Sequence, residues 1–174
     1  WEEAGTFPRE LYNLAGEAGL LGIDHPEELG GSGNDIFMKI AASEELMRVG
    51  SGGLVASLGS LDIGLPPIEN WGSDELKQRI VPAVLRGEKT AALAITEPSG
   101  GSDVANLKTR AVSEGDFYRV NGSKTFITSG CRADYYTVAV RTGDVGYGGI
   151  SLLLIEKERA GFSVGQPLKK MGWW

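Results

Sequence analysis

The chain has 174 residues, 41% hydrophobic and 23% charged, the proportions of an ordinary globular protein. Its 26 glycines follow no G-x-y period, which excludes collagen. A net charge of −6 with no basic cluster denser than Lys169-Lys170 argues against nucleic-acid binding. One cysteine, Cys131, and one histidine, His25, allow neither an intrachain disulfide nor a Cys/His zinc site, which fits a reducing compartment.

The first half reads as helix. Thr6 before Phe7-Pro8 has the form of a cap with a proline in the first turn. Leu11, Leu14, Ala15 and Ala18 follow at helical spacing, and Gly19 closes the segment. Residues 26–33 are a turn-rich loop, with His25 before it read as a surface residue. Asn34 or Asp35 caps a second helix carrying Ile36, Phe37, Ile40, Ala41 and Met47. Leu54, Leu58, Leu61 and Leu65 form a third stripe, stopped by Pro66-Pro67. Ser73 caps a fourth helix, with Asp74 and Glu75 in its first turn, Pro82 expected to kink or break it, and Arg86-Gly87 at its end.

From Thr90 the pattern becomes β. Residues 90–96 are short and apolar, Leu107 to Val112 alternate, and Phe117 to Thr128 hold Asn121-Gly122 between two β-rich runs. Tyr135–Arg141 and Ile150–Ile155 are two further strands, and Phe162–Val164 a weaker one. About four helices followed by about six strands predict an α+β chain of two packed domains, 1–89 helical and 90–174 β-rich. No apolar run approaches the roughly 18 residues of a membrane span, and the acidic start lacks the apolar core of a signal peptide. The opening Trp1 without a Met, and the closing Trp173-Trp174, read as the ends of a fragment.

Two segments carry candidate chemistry. In Ala94–Asn106, a hydroxyl at Thr96 precedes a Pro-Ser-Gly-Gly turn and Ser102-Asp103. Glycine there allows close backbone approach to a phosphate, although a plain β-turn fits equally well. In the second segment, a two-residue turn at Asn121-Gly122 pairs Val120 with Ser123 and Arg119 with Lys124. Phe117, Arg119, Lys124, Phe126 and Thr128 then share one face, with Phe126 and Thr128 about 7 Å apart. A flat ring fits against Phe126 with Thr128 at its edge; Phe126 as core and Thr128 as a plain strand former is the alternative. Gly30–Gly33 follows a helix and lacks full dinucleotide-loop spacing.

The segment Thr96-Glu97-Pro98 with Gly101-Ser102-Asp103 resembles the first signature of the acyl-CoA dehydrogenases, with Asn106 where that signature has a small residue. Tyr118 to Gly130 is similar to the family's flavin-facing hairpin, with Phe126 where tryptophan is frequent. Further similarity runs from Phe7-Pro8-Arg9 through Trp71-Gly72-Ser73 to Leu168–Gly172, so it covers essentially the whole chain.

The resemblance implies a helical N-terminal domain and an antiparallel, β-barrel-like middle domain, without the C-terminal helical domain that carries the family's carboxylate base. It implies FAD as cofactor, lined by Leu93, Ala94, Ile95, Thr96, Gly101, Ser102, Phe126, Ile127 and Thr128. Thr96 and Thr128 would bond the isoalloxazine near N5, and Ser102 the pyrophosphate or the acyl-CoA, with Gly148 near a substrate contact. The implied reaction is dehydrogenation of an acyl-CoA to the 2-enoyl-CoA, with electrons passing to an electron-transferring flavoprotein. The full-length form would be a homodimer or homotetramer in a bacterial cytoplasm or the mitochondrial matrix. An acyl-CoA oxidase, a related flavin oxidase and a non-catalytic binding fragment are the alternatives. No residue of this chain takes the role of base; Glu97 is read as a support of its loop. Lys124 is read as a solvated strand residue and Cys131 as an inert small one.

Overall fold

The structure, a computed structural model, describes Trp1 and residues 3–173; Glu2 of the acidic opening and Trp174 of the closing aromatic pair lie outside the described residues. Among the described residues six α-helices precede five strands. The helices are α1 (Glu10–Glu17), α2 (Ile36–Met47), α3 (Gly52–Leu58), α4 (Leu61–Gly64), α5 (Pro66–Trp71) and α6 (Asp74–Leu85). The strands are β1 (Ala91–Ala94), β2 (Arg110–Glu114), β3 (Phe117–Asn121), β4 (Tyr135–Arg141) and β5 (Ile150–Glu156).

Two helix starts follow directly from the sequence. The Asp35 carboxylate accepts the N–H groups of Phe37 and Met38 at 3.0 and 3.1 Å, and the Ser73 hydroxyl accepts that of Leu76 at 3.2 Å. Thr6 caps nothing: its hydroxyl is taken by the Arg132 guanidinium, and α1 opens after Arg9 without a side-chain cap. The Leu54–Leu65 stripe is two helices, broken at Gly59-Ser60, and Pro66-Pro67 open α5 instead of stopping a helix. A proline's fixed φ and missing N–H suit a first turn. Pro82 does not end α6. One lost hydrogen bond and a ring clash cost about 3 kcal/mol, whereas Ile80, Val81, Val84 and Leu85 are all buried and each contributes roughly 1.5–3 kcal/mol.

The sheet departs from the barrel-like, antiparallel expectation. β1 runs parallel to β4, from Ala91 opposite Tyr135 to Ala94 opposite Val138. β5 runs antiparallel along the other side of β4, from Tyr135–Glu156 to Arg141–Ile150. β2 joins β4 in parallel at the single pair Arg110–Arg141 and pairs antiparallel with β3. Because β2 meets β4 at one pair only, β3 and β5 remain separate edges, and the sheet is mixed and open among the described residues.

The hairpin turn also sits elsewhere than expected. Gly115-Asp116 connect β2 to β3, with Gly115 at φ 69° and Glu114 opposite Phe117. Val120 therefore faces Ala111 and Arg119 faces Val112, not Ser123 and Lys124. Gly122 at φ 156° instead lets the chain pass against Thr109, where a Cβ would overlap the Thr109 side chain. Residues 122–129 leave the sheet, and Phe162–Val164 is not a strand.

The sheet's two faces do different work. Ala91 joins the helical core of Leu58, Leu61, Leu65, Ile68, Ile80, Val81 and Val84, with Tyr135 and Leu154 packed against it. Ala92, Ala94, Tyr136, Val138 and Val140 form a second core with Ala111 and Ala133, closed by Val120, Ile127, Leu153 and Ile155. Alternation along the strands assigns these faces. Gly64 of α4 lies directly on Ala91, and its carbonyl accepts the Thr137 hydroxyl at 2.8 Å. Asp134 accepts the Thr90 N–H at 2.9 Å and Arg9 at 2.5 Å, while the Arg132 guanidinium lies 4.2 Å above the Phe7 ring.

His25 is not a surface residue. It is 5% exposed, its Nδ1 lies 2.6 Å from Glu69 Oε1 of α5, and its Nε2 lies 3.6 Å from Asp62 Oδ1 of α4. Burial pushes its pKa down, but hydrogen bonding to Asp62 and Glu69 outweighs this and raises it to about 9. Asp24, His25 and Asp62 lie close enough together to share an ion. The Lys39 ammonium already stands between the two aspartates, 2.7 Å from each, and supplies the cation.

Candidate functional site

The chain leaves β1 at Ala94 and turns at once. Glu97 and Gly100 exchange backbone hydrogen bonds at 3.1 and 3.0 Å, so Pro98-Ser99 form a tight two-residue turn. This consumes the Gly100 N–H, which is then not available to a phosphate. Gly101 packs on Thr96, where an added Cβ would lie 3.2 Å from Thr96 Cγ2. Ser102 is exposed just beyond, before a single 3-10 turn at Val104–Asn106.

Glu97 is the anchor of this turn, as the sequence reading had it. The residue is 5% exposed, and its carboxylate accepts the Lys108 N–H at 2.6 Å, the Thr109 N–H at 2.8 Å and Lys124 Nζ at 2.9 Å. Burial alone would raise its pKa. Hydrogen bonds from Thr109, the Lys108 N–H and Lys124 outweigh burial and hold it at about 2. A carboxylate so occupied has little capacity left to accept a proton.

Lys124 is correspondingly not a solvated strand residue. Its side chain is 10% exposed, and Nζ also donates to the Ile95 carbonyl at 2.8 Å. Burial draws its pKa below the usual lysine value, against the opposing pull of Glu97. The pair is not legible in the sequence, because its partners lie 27 residues apart.

The segment after Lys124 sets the aromatic. The Thr125 N–H donates to the Thr96 carbonyl at 2.9 Å, which brings the two motifs into direct contact. Ile127 packs inward on the second core. Phe126 points outward, 70% exposed, with its backbone at φ 55°, and Ser129 is also left-handed at φ 58°. For a non-glycine residue such a conformation costs of order 1–3 kcal/mol and concentrates at functional sites. Phe126 is therefore neither core nor strand, and the strand-based spacing to Thr128 does not apply. The Tyr136 hydroxyl secures the following turn by donating to the Gly130 and Ala133 carbonyls at 2.9 and 3.0 Å.

These elements wall a cleft of about 1980 Å³. Ala94, Phe126, Ile127 and Thr128 line it, together with Tyr136, Val138 and the final segment 159–168. Leu93, Ile95, Thr96, Gly101, Ser102 and Gly148 are not in its walls. Of these, Thr96 adjoins it through Thr125, and Leu93 lies on the opposite face of β1 from Ala94. The cleft exceeds the roughly 300–1,000 Å³ of an enclosed small-molecule site and is an open groove beside Phe126.

Gly148 sits at the far end of β4, exposed, in a 3-10 turn at Tyr147–Gly149. Its loop is tied to the Ser102 side by Arg141, which sequence reading did not single out. The guanidinium of this buried residue donates to the carbonyls of Ala105, Leu107, Asp144 and Gly146 at 2.6, 3.3, 2.5 and 3.2 Å. Cys131 is exposed and unpaired with any other cysteine. No helix among the described residues is long and apolar enough to cross a membrane.

Comparison with known proteins covers both halves. Residues 1–88 match the family model for the acyl-CoA dehydrogenase N-terminal domain, and residues 92–173 that for the middle domain. An acyl-CoA dehydrogenase of Bacillus subtilis is 39% identical over 173 residues, which are 98% of this chain and 45% of that protein. Among solved structures, a probable acyl-CoA dehydrogenase from Mycobacterium abscessus superposes with a TM-score of 0.95 at 53% identity, over 99% of this chain and 46% of that one. An acyl-CoA dehydrogenase from Bacillus anthracis, solved in complex with FAD, gives 0.85 at 38% identity, over 95% of this chain and 28% of that one. The chain thus spans about half, or less, of the length of the proteins it matches.

Proposed function

Because this chain belongs to the acyl-CoA dehydrogenase family, whose cofactor is FAD, we propose that it forms the N-terminal and middle domains, 1–89 and 90–174, of an enzyme that oxidises an acyl-CoA thioester to the 2-enoyl-CoA. The observation that carries this reading is Phe126, an exposed aromatic held in a left-handed backbone beside Thr128 on the wall of an open cleft. A ring that costs strain to present and is not used for packing has a ligand-facing role.

Of the residues that would meet the cofactor, Ala94, Phe126, Ile127 and Thr128 line the cleft and the others stand behind or beside it. Phe126, Ile127 and Thr128 would lie along the isoalloxazine, with the Thr96 and Thr128 hydroxyls at its edge. The backbone of Leu93, Ala94, Ile95, Gly101 and Ser102 would follow the rest of the molecule, with Ser102 and Gly148 near its phosphates or the acyl-CoA. When bound, FAD supplies the acceptor for the hydride from the substrate's β-carbon. This chain's own contribution is orientation and exclusion of water, because Glu97 is locked into its loop and the base belongs to a C-terminal helical domain. Helix α2 buries no residue and leaves Ile36, Phe37, Met38 and Ile40 all exposed, which supports a further packed domain on the helical side.

The electron acceptor would be an electron-transferring flavoprotein, and the assembled enzyme a homodimer or homotetramer in a bacterial cytoplasm or the mitochondrial matrix. The test is anaerobic titration of the full-length flavoprotein with acyl-CoAs of graded chain length. Bleaching of the flavin band by at least one of them is expected; a band indifferent to all acyl-CoAs overturns the reading. Turnover with an artificial acceptor but not with dioxygen would separate it from an oxidase.

A further inference from the structure

We propose that Lys124 and Glu97 act together as a charged clamp that sets the position of Thr96 at the cofactor edge, making both of them positioning residues for the flavin. This rests on the reading that Thr96 meets the flavin. What the clamp adds is a control over the cofactor by Lys124, which lies in the cleft wall but spends its charge on Ile95 and Glu97, and by Glu97, which lies outside that wall.

The geometry is one of convergence on a single residue. The Lys124 ammonium bonds the carbonyl of Ile95, on one side of Thr96, and the carboxylate of Glu97, on the other. The next peptide N–H, that of Thr125, takes the Thr96 carbonyl itself. Glu97 in turn is pinned by the N–H groups of Lys108 and Thr109, and Gly101 abuts the Thr96 methyl group. Thr96 is therefore held before, at and after its own peptide unit, and its side chain keeps only one torsion.

A buried ion pair is a poor device for stability, because desolvation of both charges offsets their attraction. What it offers here is direction. One ammonium has three donors and serves a carbonyl and a carboxylate at once, which no apolar side chain of the same volume does. Lys124 also precedes Thr125, Phe126 and Thr128 in one short segment, so the same bond fixes the register between the Thr96 turn and the aromatic.

The experiment uses full-length holoenzyme carrying Lys124→Met, Lys124→Arg, Glu97→Gln, Thr96→Val and the Lys124→Met/Thr96→Val double variant. For each, thermal midpoint, FAD dissociation and the visible flavin spectrum are measured. Thr96→Val is expected to shift the flavin band. Lys124→Met should shift it in the same direction and loosen FAD roughly tenfold or more, the size of effect that loss of an outer-shell partner has at metal sites. Lys124→Arg should restore part of the shift, and Glu97→Gln should reproduce a weaker form of it in folded protein if Lys124→Met does not fold. In the double variant the Lys124→Met effect on the band should vanish, because it acts through Thr96. A normal band and normal FAD retention in Lys124→Met or Glu97→Gln, alongside a shifted band in Thr96→Val, overturns the clamp and leaves the flavin reading standing. An unshifted Thr96→Val, or full-length protein without flavin, overturns the reading on which the clamp rests.

Discussion

His25 among the helices and Lys124 among the strands are both nearly out of water and both face carboxylates, yet they reach different things. The His25 ring meets the side chains of Glu69 and Asp62, so it links α4 and α5 to the loop after α1 without itself bonding a peptide group. Lys124 takes a backbone carbonyl, and the carboxylate it pairs with takes two backbone N–H groups. The first cluster joins elements that packing has already placed. The second dictates the path of irregular chain that packing leaves undetermined, which is where a cofactor edge needs accuracy.

The contrast is open to test, starting with the largest effect. His25→Ala leaves the Glu69 carboxylate, 12% exposed, without its partner, and should cost about 3–5 kcal/mol in urea unfolding. A cost under about 1 kcal/mol would mean that the helical cluster is dispensable.

The next effect is a pH dependence of opposite sign in the two regions. His25 has a folded pKa raised to about 9. Its contribution is complete below about 6.5 and disappears as pH rises through 9, roughly 3 kcal/mol in all. Glu97 has a folded pKa lowered to about 2. Its contribution is complete above about 4.5 and is lost only as pH falls through 2. Unfolding midpoints measured from pH 2 to 10 should therefore decline at both ends. His25→Gln should flatten the alkaline limb and leave the acid limb alone.

Smaller effects calibrate the scale. Ser73→Ala removes the cap of α6 and should cost about 1 kcal/mol by chemical denaturation. The Arg48–Glu45 pair, with side chains 76% and 70% exposed, is a control. Arg48→Ala should change stability by less than about 0.5 kcal/mol. A larger loss there would erase the distinction between buried and exposed charge.

Local signals are legible in this sequence and long-range ones are not. Tyr135–Arg141 is legible as a strand because it is apolar, β-branched and bounded by polar residues, and β4 has those bounds. Asp35 and Ser73 declare their helices through residues two and three positions away. The hairpin was misplaced because Asn121-Gly122 is a strong turn signal in isolation. The competing Gly115-Asp116 turn is an equal two-residue closure between runs that pair at once, and Gly122 is committed to a close pass against Thr109. His25, Lys124 and Arg141 were invisible as network members because their partners are dispersed along the chain. The turn at Thr96–Ser102 and the Phe126–Thr128 stretch were legible through resemblance. That Phe126 stands outside any strand, in a left-handed backbone, was not.

Arg141 carries a consequence for how this protein can vary. Its guanidinium gathers four carbonyls from two loops, and a carbonyl is offered by every residue type. Substitutions at Asp144, Val145 and Tyr147 therefore leave the arrangement intact, whereas a side chain at Gly149 would overlap the Asp144 carbonyl, Gly146 is held at φ 99°, and an insertion or deletion turns an acceptor away from a rigid planar fork that lysine does not reproduce. Relatives of this chain should differ in the spelling of that loop far more freely than in its length.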